Sequence, residues 1–544
     1  MHYTPDVRKS ILCLGFLLAA SAANAEPPKA AASAIAAHIK FLADDAMEGR
    51  ETGTRGYDVA AAYVAAKMMA LGLEPAGAEG GWYQPIQFRS AQLAAEKSSF
   101  LIRMAGADAV KLEHRKDVIL RPHFADAIAD VNAPVVFAGF GISAPELQHD
   151  DYASLDVNGK IVLVISGAPK TFANDQRALY SAGEMKEQAA AKRGAVGVIS
   201  VKSITDEQRM PFERTARQTN ITAMRYLDRD GKPDGVDPRL RVGALLSRDG
   251  AAKLFARAPM TLDQVLDDAE KGVAHSFPLQ AAISAHTETT YGETTSKNVA
   301  GLLRGSDPQR RDEYVLYTAH LDHLGAHGSG ADRIYNGALD NGSGIASLLE
   351  IARMFASLEE RPARSVLFVA VTGEEKGEQG SLYFAEYPTV PRSAIVADIN
   401  MDMFQMHYPV ADLVALGGEH TTLGDLATKA AAASGFTMSP DPQPEEVRFI
   451  RSDQYSFVKK GIPAIHLKAG PKSSDTSIDG EKVSREWLRT IYHTVRDDLA
   501  QTIDYASGAR YAETNFRLGL EVANAPARPQ WKENDFFGVM FGGR

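Results

Sequence analysis

The chain of 544 residues has one cysteine. That residue, Cys13, sits inside an apolar run near the amino end, residues 11–20. Without that run no disulfide and no thiolate metal ligand can form, so a transition metal would have to be held by His, Asp and Glu. After residue 20 no apolar stretch is long enough to cross a bilayer. A basic excess is missing too: 59 Lys and Arg face 69 Asp and Glu, a formal net charge of −10. Nucleic acid and anionic membrane surfaces both require a basic face, so neither is expected as a partner. Internal repeats and low-complexity tracts are also absent.

The apolar run has the flanks of an export signal. Arg8 and Lys9 precede it, and Ala23-Asn24-Ala25 follows with a small–x–small cleavage pattern. Cleavage is expected after Ala25, giving a periplasmic or secreted protein with no membrane insertion. A lipoprotein signal would place its cysteine after the run, whereas Cys13 lies within it, so no lipid anchor is expected.

At this length two or three domains are expected. In residues 26–115, Val59, Tyr63, Ala66 and Ala70 repeat at helical spacing and Gly72 ends the pattern. A polar, glycine-rich loop with Met47-Glu48-Gly49-Arg50 precedes that helix. Residues 116–280 have another texture, with short β-rich runs such as Val135-Val136-Phe137 and residues 161–165. They contain no histidine cluster and no paired carboxylates with a plausible catalytic neighbour, and read as an inserted, non-catalytic β-rich unit. In residues 281–544, apolar runs at 314–319, 366–371 and 462–467 alternate with helical patterns such as Ile345, Leu348, Leu349, Ala352 and Phe355. Strands apolar on both faces, alternating with helices, predict an α/β fold: a mixed, mostly parallel sheet flanked by helices. Sites in such folds form beyond the carboxyl ends of the strands.

The chemistry-bearing residues gather at those ends. The run 314–319 leads into His320-Leu321-Asp322-His323. Asn336-Gly337-Ala338-Leu339-Asp340-Asn341-Gly342 approaches a helix start. The run 366–371 ends in Thr372-Gly373-Glu374-Glu375, and another strand ends in Asn400-Met401-Asp402-Met403. Last comes Tyr492-His493-Thr494, shortly before Asp497 and Asp498. Each motif alone has a plain structural explanation: a satisfied histidine, a helix cap, solvated acids. Together they supply imidazole and carboxylate donors in the number a metal pair needs, with one acid to spare as a base.

These motifs, with Gly380-Ser381, Ser452-Asp453 and Gly461-Ile462-Pro463-Ala464, resemble the M28 family of zinc peptidases. The insert, through Asn158-Gly159-Lys160-Ile161-Val162 and Gly194-Ala195-Val196-Gly197-Val198, is similar to a protease-associated (PA) domain. The resemblance implies a zinc-exopeptidase fold, two zinc ions per chain and peptide substrates. It implies that His320 and Asp402 bind one zinc, that Glu375 and His493 bind the other, and that Asp340 bridges them. It further implies that Asp322 orients His320, that Glu374 is the general base, and that Tyr492 stabilises the oxyanion.

One departure stands out. Gln454 occupies a place where many relatives have histidine, so substrate contacts near Tyr455 and Phe457 are expected to differ. His323 and His327 read as loop or supporting residues, and His466 as a core histidine. The leading expectation is an aminopeptidase. Alternatives are a carboxypeptidase or dipeptidase of the same family, a single-zinc cyclase acting on amino-terminal glutamine, and a non-catalytic binding protein. The complete donor set argues against the last two. Oligomeric state has no signature in the sequence.

Overall fold

The structure is a computed structural model and describes residues 1–2, 28–218, 222–328 and 330–543. The apolar run and the cleavage pattern read as an export signal lie outside the described residues. No helix among the described residues is long and apolar enough to cross a membrane.

The centre of the molecule is a mixed sheet. Its four inner strands run parallel in the order Ser365–Val371, Tyr314–His320, Ile395–Asn400, Ala464–Ala469. Antiparallel strands flank them: Asp412–Leu416 on one side and Ser276–Leu303 on the other. Every residue of Ser365–Val371 and of Tyr314–His320 is buried. Alternation explains why, because side chains leave a strand on opposite faces in turn. Val315, Tyr317, Val366 and Phe368 enter a large core shared with four helices, Ala32–Leu42, Arg55–Ala70, Gly342–Ala356 and Tyr505–Asn524. Leu316, Leu367 and Val369 enter a smaller core on the other face, with Phe384 and Phe457. This is the helix-covered, mostly parallel α/β fold that the apolar runs predict.

A second, β-rich sheet is continuous with the first through one strand. Ser276–Leu303 spans 28 residues: its first part pairs with Ile128–Ala138 and Ser99–Arg103, and its last part with Tyr83–Leu93 and Ser365–Val371. The second sheet also holds the parallel strands Ile161–Ile165, Gly197–Val201 and Val242–Leu246. Its strand Ser99–Arg103 precedes residue 116, where the texture of the sequence changes. Ala223–Tyr226, from within residues 116–280, crosses back to pair with Tyr83–Leu93 of the central sheet. The two units also share a core: Phe137 and Leu163 from the β-rich unit lie in one cluster with Phe449, Ala464 and Phe537.

Candidate metal centre

The carboxyl ends of the parallel strands converge on a buried cluster of acids and imidazoles. His320 is the last residue of its strand, and Glu374 and Glu375 follow the turn after Val371. Asp402 lies two residues beyond Asn400. Asp340 precedes the helix Gly342–Ala356, with a cis peptide bond to Asn341.

Asp340 stands between two donor groups. Its Oδ1 is 3.4 Å from His320 Nε2, which is also 3.4 Å from Asp402 Oδ1. Its Oδ2 is 3.2 Å from His493 Nε2, which is 3.2 Å from Glu375 Oε2 as well. His323 joins this second group, with Nδ1 2.7 Å from Glu375 Oε1 and 3.9 Å from Asp340 Oδ2. Glu374 Oε2 lies 4.0 Å from His320 Nε2. Donor atoms of His320, Asp340 and Asp402 lie within 4.8 Å of one another, and so do those of His323, Asp340 and Glu375.

The surroundings show what such a cluster lacks. Asp340 Oδ2 is buried without a hydrogen-bond partner, as is His323 Nε2. Burial works against every charge here, yet the carboxylates draw protons onto the imidazoles: Glu375 and Asp340 hold His493 up at about 10. For Glu375 burial is likewise outweighed, by His493 and His323, and it falls to about 2. Glu374 differs: burial, with Glu375 and Asp453 adding to it against the pull of His320, lifts its carboxyl well above the usual range. Orphaned acceptors and a demand for positive charge are what a cation-binding donor set of N and O atoms presents. The residues fit zinc.

The backbone around the cluster is tightly held. Asn341 Oδ1 accepts from the backbone N–H of Gly344 at 2.9 Å and of Met403 at 3.0 Å, tying the Asp340 turn to the Asp402 loop. Met403 and His493 both adopt left-handed backbone, with φ of 50° and 57°. Non-glycine residues persist there only where neighbours over-determine the conformation. His466, read as a core histidine, is buried, and its Nε2 lies 2.9 Å from the Asp402 carbonyl. Burial lowers its pKa to about 3, and the same Nε2 lies 3.3 Å from the Asp402 backbone N–H.

The structure places Asp322 and Gln454 in detail. The Asp322 carboxylate does not contact the His320 ring: it is the backbone carbonyl of Asp322 that meets His320 Nδ1, at 3.2 Å. The carboxylate instead accepts from the backbone N–H of Glu374 at 3.1 Å and of Glu375 at 3.3 Å, and from Thr52 Oγ1 at 3.0 Å. A turn carrying two acids leaves free N–H donors, and a buried carboxylate is their natural acceptor. Gln454 is part of the packing: its Oε1 accepts from Asn400 Nδ2 at 2.7 Å and its Nε2 donates to the Phe449 carbonyl at 2.6 Å. Tyr455 and Phe457 are buried beside it, Tyr455 packing on Phe537.

Other residues gain roles that their motifs do not reveal. Asp497 accepts from the backbone N–H of Leu339 and of Asp340, each at 3.0 Å. Arg50 is buried and donates to the carbonyls of Leu42, Leu321, Asn336 and Gly337, bracing the loops that carry His320 and Asp340. Tyr492 stacks on His493 with ring centres 3.8 Å apart.

Residues 298–518 match the model of peptidase family M28, a span that contains every residue of the cluster. Over that span the chain is similar to peptidase family M28. A probable zinc metalloprotease of Pyricularia oryzae is 26% identical over 261 residues, 42% of this chain and 50% of the relative. Aminopeptidase NAALADL1 of Mus musculus is 34% identical over 134 residues, 24% of this chain and 16% of that protein. The chain therefore spans half or less of the length of these relatives. An aminopeptidase from Aneurinibacillus sp. strain AM-1 shares the fold, with a TM-score of 0.53 at 20% identity, covering 93% of this chain and 97% of that one. The family match lies over the cluster and is consistent with peptidase chemistry there.

Proposed function

We propose that the protein is a co-catalytic two-zinc exopeptidase that releases amino acids from the amino ends of peptides. The observation that carries this reading is the position of Asp340, one oxygen facing His320 and the other facing His493. His320 and Asp402 would hold one zinc, Glu375 and His493 the other, and Asp340 would serve both. Bound there, the pair supplies Lewis acidity toward a scissile carbonyl and a water of lowered pKa.

The chain's own residues do the rest. Glu374 takes the proton of the attacking water and hands it to the leaving amine. The Asp322 carboxylate fixes the backbone of the turn and so sets where Glu374 points. Tyr492, stacked on His493, offers its hydroxyl to the developing oxyanion. His323 orients Glu375 through their 2.7 Å contact. The β-rich unit is a PA-like domain that walls the cleft, and residues 8–25 direct export to the periplasm or beyond.

Aminoacyl chromogenic amides and amino-blocked peptides, assayed with and without chelator, test the proposal. Cleavage of free-amine substrates alone, lost on chelation and in Glu374→Gln, is the expected result. Release only from the carboxyl end of blocked peptides would make it a carboxypeptidase. No turnover of any peptide by zinc-loaded protein would overturn the peptidase reading.

A further inference from the structure

A cavity of about 450 Å³ opens beside the metal cluster, with Asp402, His466 and Tyr492 in its wall. Its charge is lopsided. Seven cationic side chains line it against two carboxylates, Asp402 and Glu446. The cations come from both units: Arg209 and Arg214 from the β-rich unit, Arg448, Arg451 and Lys468 from the M28 segment. Two further arginines, Arg485 and Arg489, stand on the helix Gly480–Thr490 at the rim, each paired within that helix to Glu481 or Glu486.

Most of the inner cations have acidic neighbours. Arg209 and Arg451 share Glu446, at 2.9 and 3.3 Å, and Arg448 pairs with Asp441. Arg448 Nε nevertheless remains buried with no hydrogen-bond partner. Lys468 is only 9% exposed, and among the described residues neither it nor Arg214 has a salt bridge. Its strongest electrostatic counterweight is Asp402, which is itself proposed as a metal ligand. A buried lysine facing a cavity without a partner is costly, and the cost is offset once an anion enters. Apolar side chains would not bring seven cations to one wall.

We propose that this cavity is a substrate subsite that binds a carboxylate group of the peptide, with Lys468 as its inner anchor and Arg214 closing it from the β-rich unit. The inference rests on the peptidase reading above and names its substrate class. The carboxylate has two possible sources, the side chain of an acidic residue next to the scissile bond or the free carboxyl end of a short peptide. Either would lie beside Asp402 and Tyr492, within reach of the reacting bond.

The test uses the full, zinc-loaded chain and matched substrates: Glu or Asp against Gln, Asn and Leu at the residue flanking the bond, and dipeptides with free against amidated carboxyl ends. The expected result is a kcat/KM at least about tenfold higher for one carboxylate-bearing set, falling as ionic strength rises. If the acidic residue carries the preference, the side chain is the ligand; if the free end carries it, the terminus is. Lys468→Met should reduce that preference at least about tenfold with zinc content unchanged, and Arg214→Gln should reduce it in the same direction. Arg214 is a separate check should Lys468→Met fold poorly. Equal kcat/KM for charged and neutral partners would overturn the subsite while leaving the peptidase reading intact. Turnover of no substrate by zinc-loaded protein would overturn both.

Discussion

Asp497 holds Asp340 through the backbone: its carboxylate Oδ2 accepts the Asp340 N–H at 3.0 Å, while Oδ1 takes that of Leu339. The residue proposed to serve two metals is thus positioned by an acid that binds its backbone N–H rather than its donor oxygens. Supports of this kind change metal affinity by about 10–100-fold. Asp497→Ala should weaken zinc binding to that extent, read by competition with a chromogenic chelator. Unaltered affinity would show that the Asp340 turn holds itself.

Glu374 tests the division between binding and chemistry. It lies beside His320 but outside both donor groups within 4.8 Å. Glu374→Gln should lower kcat by about 10²–10⁴-fold, the scale of a lost general base. Zinc measured by plasma mass spectrometry should stay at the wild-type level. Loss of zinc along with activity would make Glu374 a ligand.

Arg50 predicts a stability effect. Its guanidinium satisfies four backbone carbonyls, one at the end of the helix Ala32–Leu42 and three in the loops after His320 and before Asp340, and is 1% exposed. Arg50→Met would leave those acceptors buried and unpaired, at a cost of at least about 3 kcal/mol. Urea unfolding followed by tryptophan fluorescence measures it. A loss below about 1 kcal/mol would mean that the loops re-satisfy themselves.

Lys186 predicts a pH dependence away from the metal. It is buried in the β-rich unit, its ammonium donating to the Ile165 and Gly167 carbonyls at 2.8 and 2.6 Å. Burial lowers its pKa from 10.5 to about 7. Between those values the unfolded chain binds more protons than the folded one, so this contribution to stability rises with pH through the window and is lost as pH falls through 7. The slope is at most about 1.4 kcal/mol per pH unit. Urea midpoints at pH 7.5 and 9.5 should therefore rise more in wild type than in Lys186→Met. Parallel curves would show that the ammonium keeps an ordinary pKa.

The central sheet was legible in the sequence because runs such as 366–371 are apolar at every position, the pattern of a strand covered on both faces. His320, Asp340, Glu374, Glu375 and Asp402 were legible because each sits just past a strand or in a glycine-rich turn, and His493 through its Tyr492-His493-Thr494 motif; the structure brings all six together. The roles of Arg50, Asp497 and the Asp322 carboxylate were not, because each binds backbone groups from segments far away in the chain, and such contacts leave no local pattern. The same holds for the strand Ser276–Leu303, whose 28 residues serve two sheets. Local texture separates the β-rich unit from its surroundings, while pairing with Ser99–Arg103 and Ala223–Tyr226 ties segments together across that divide. Gln454 and His466 illustrate the converse, polar residues whose partners are buried backbone and side chains of the core.

The most direct measurement is metal stoichiometry coupled to activity. Chelator-stripped protein would be titrated with zinc while peptide hydrolysis and bound metal are followed together. The account predicts two equivalents bound per chain, full activity only as both are filled, and neither zinc held tightly in Asp340→Ala. A single equivalent giving full activity, or two zincs retained without Asp340, would contradict a shared centre built on that residue.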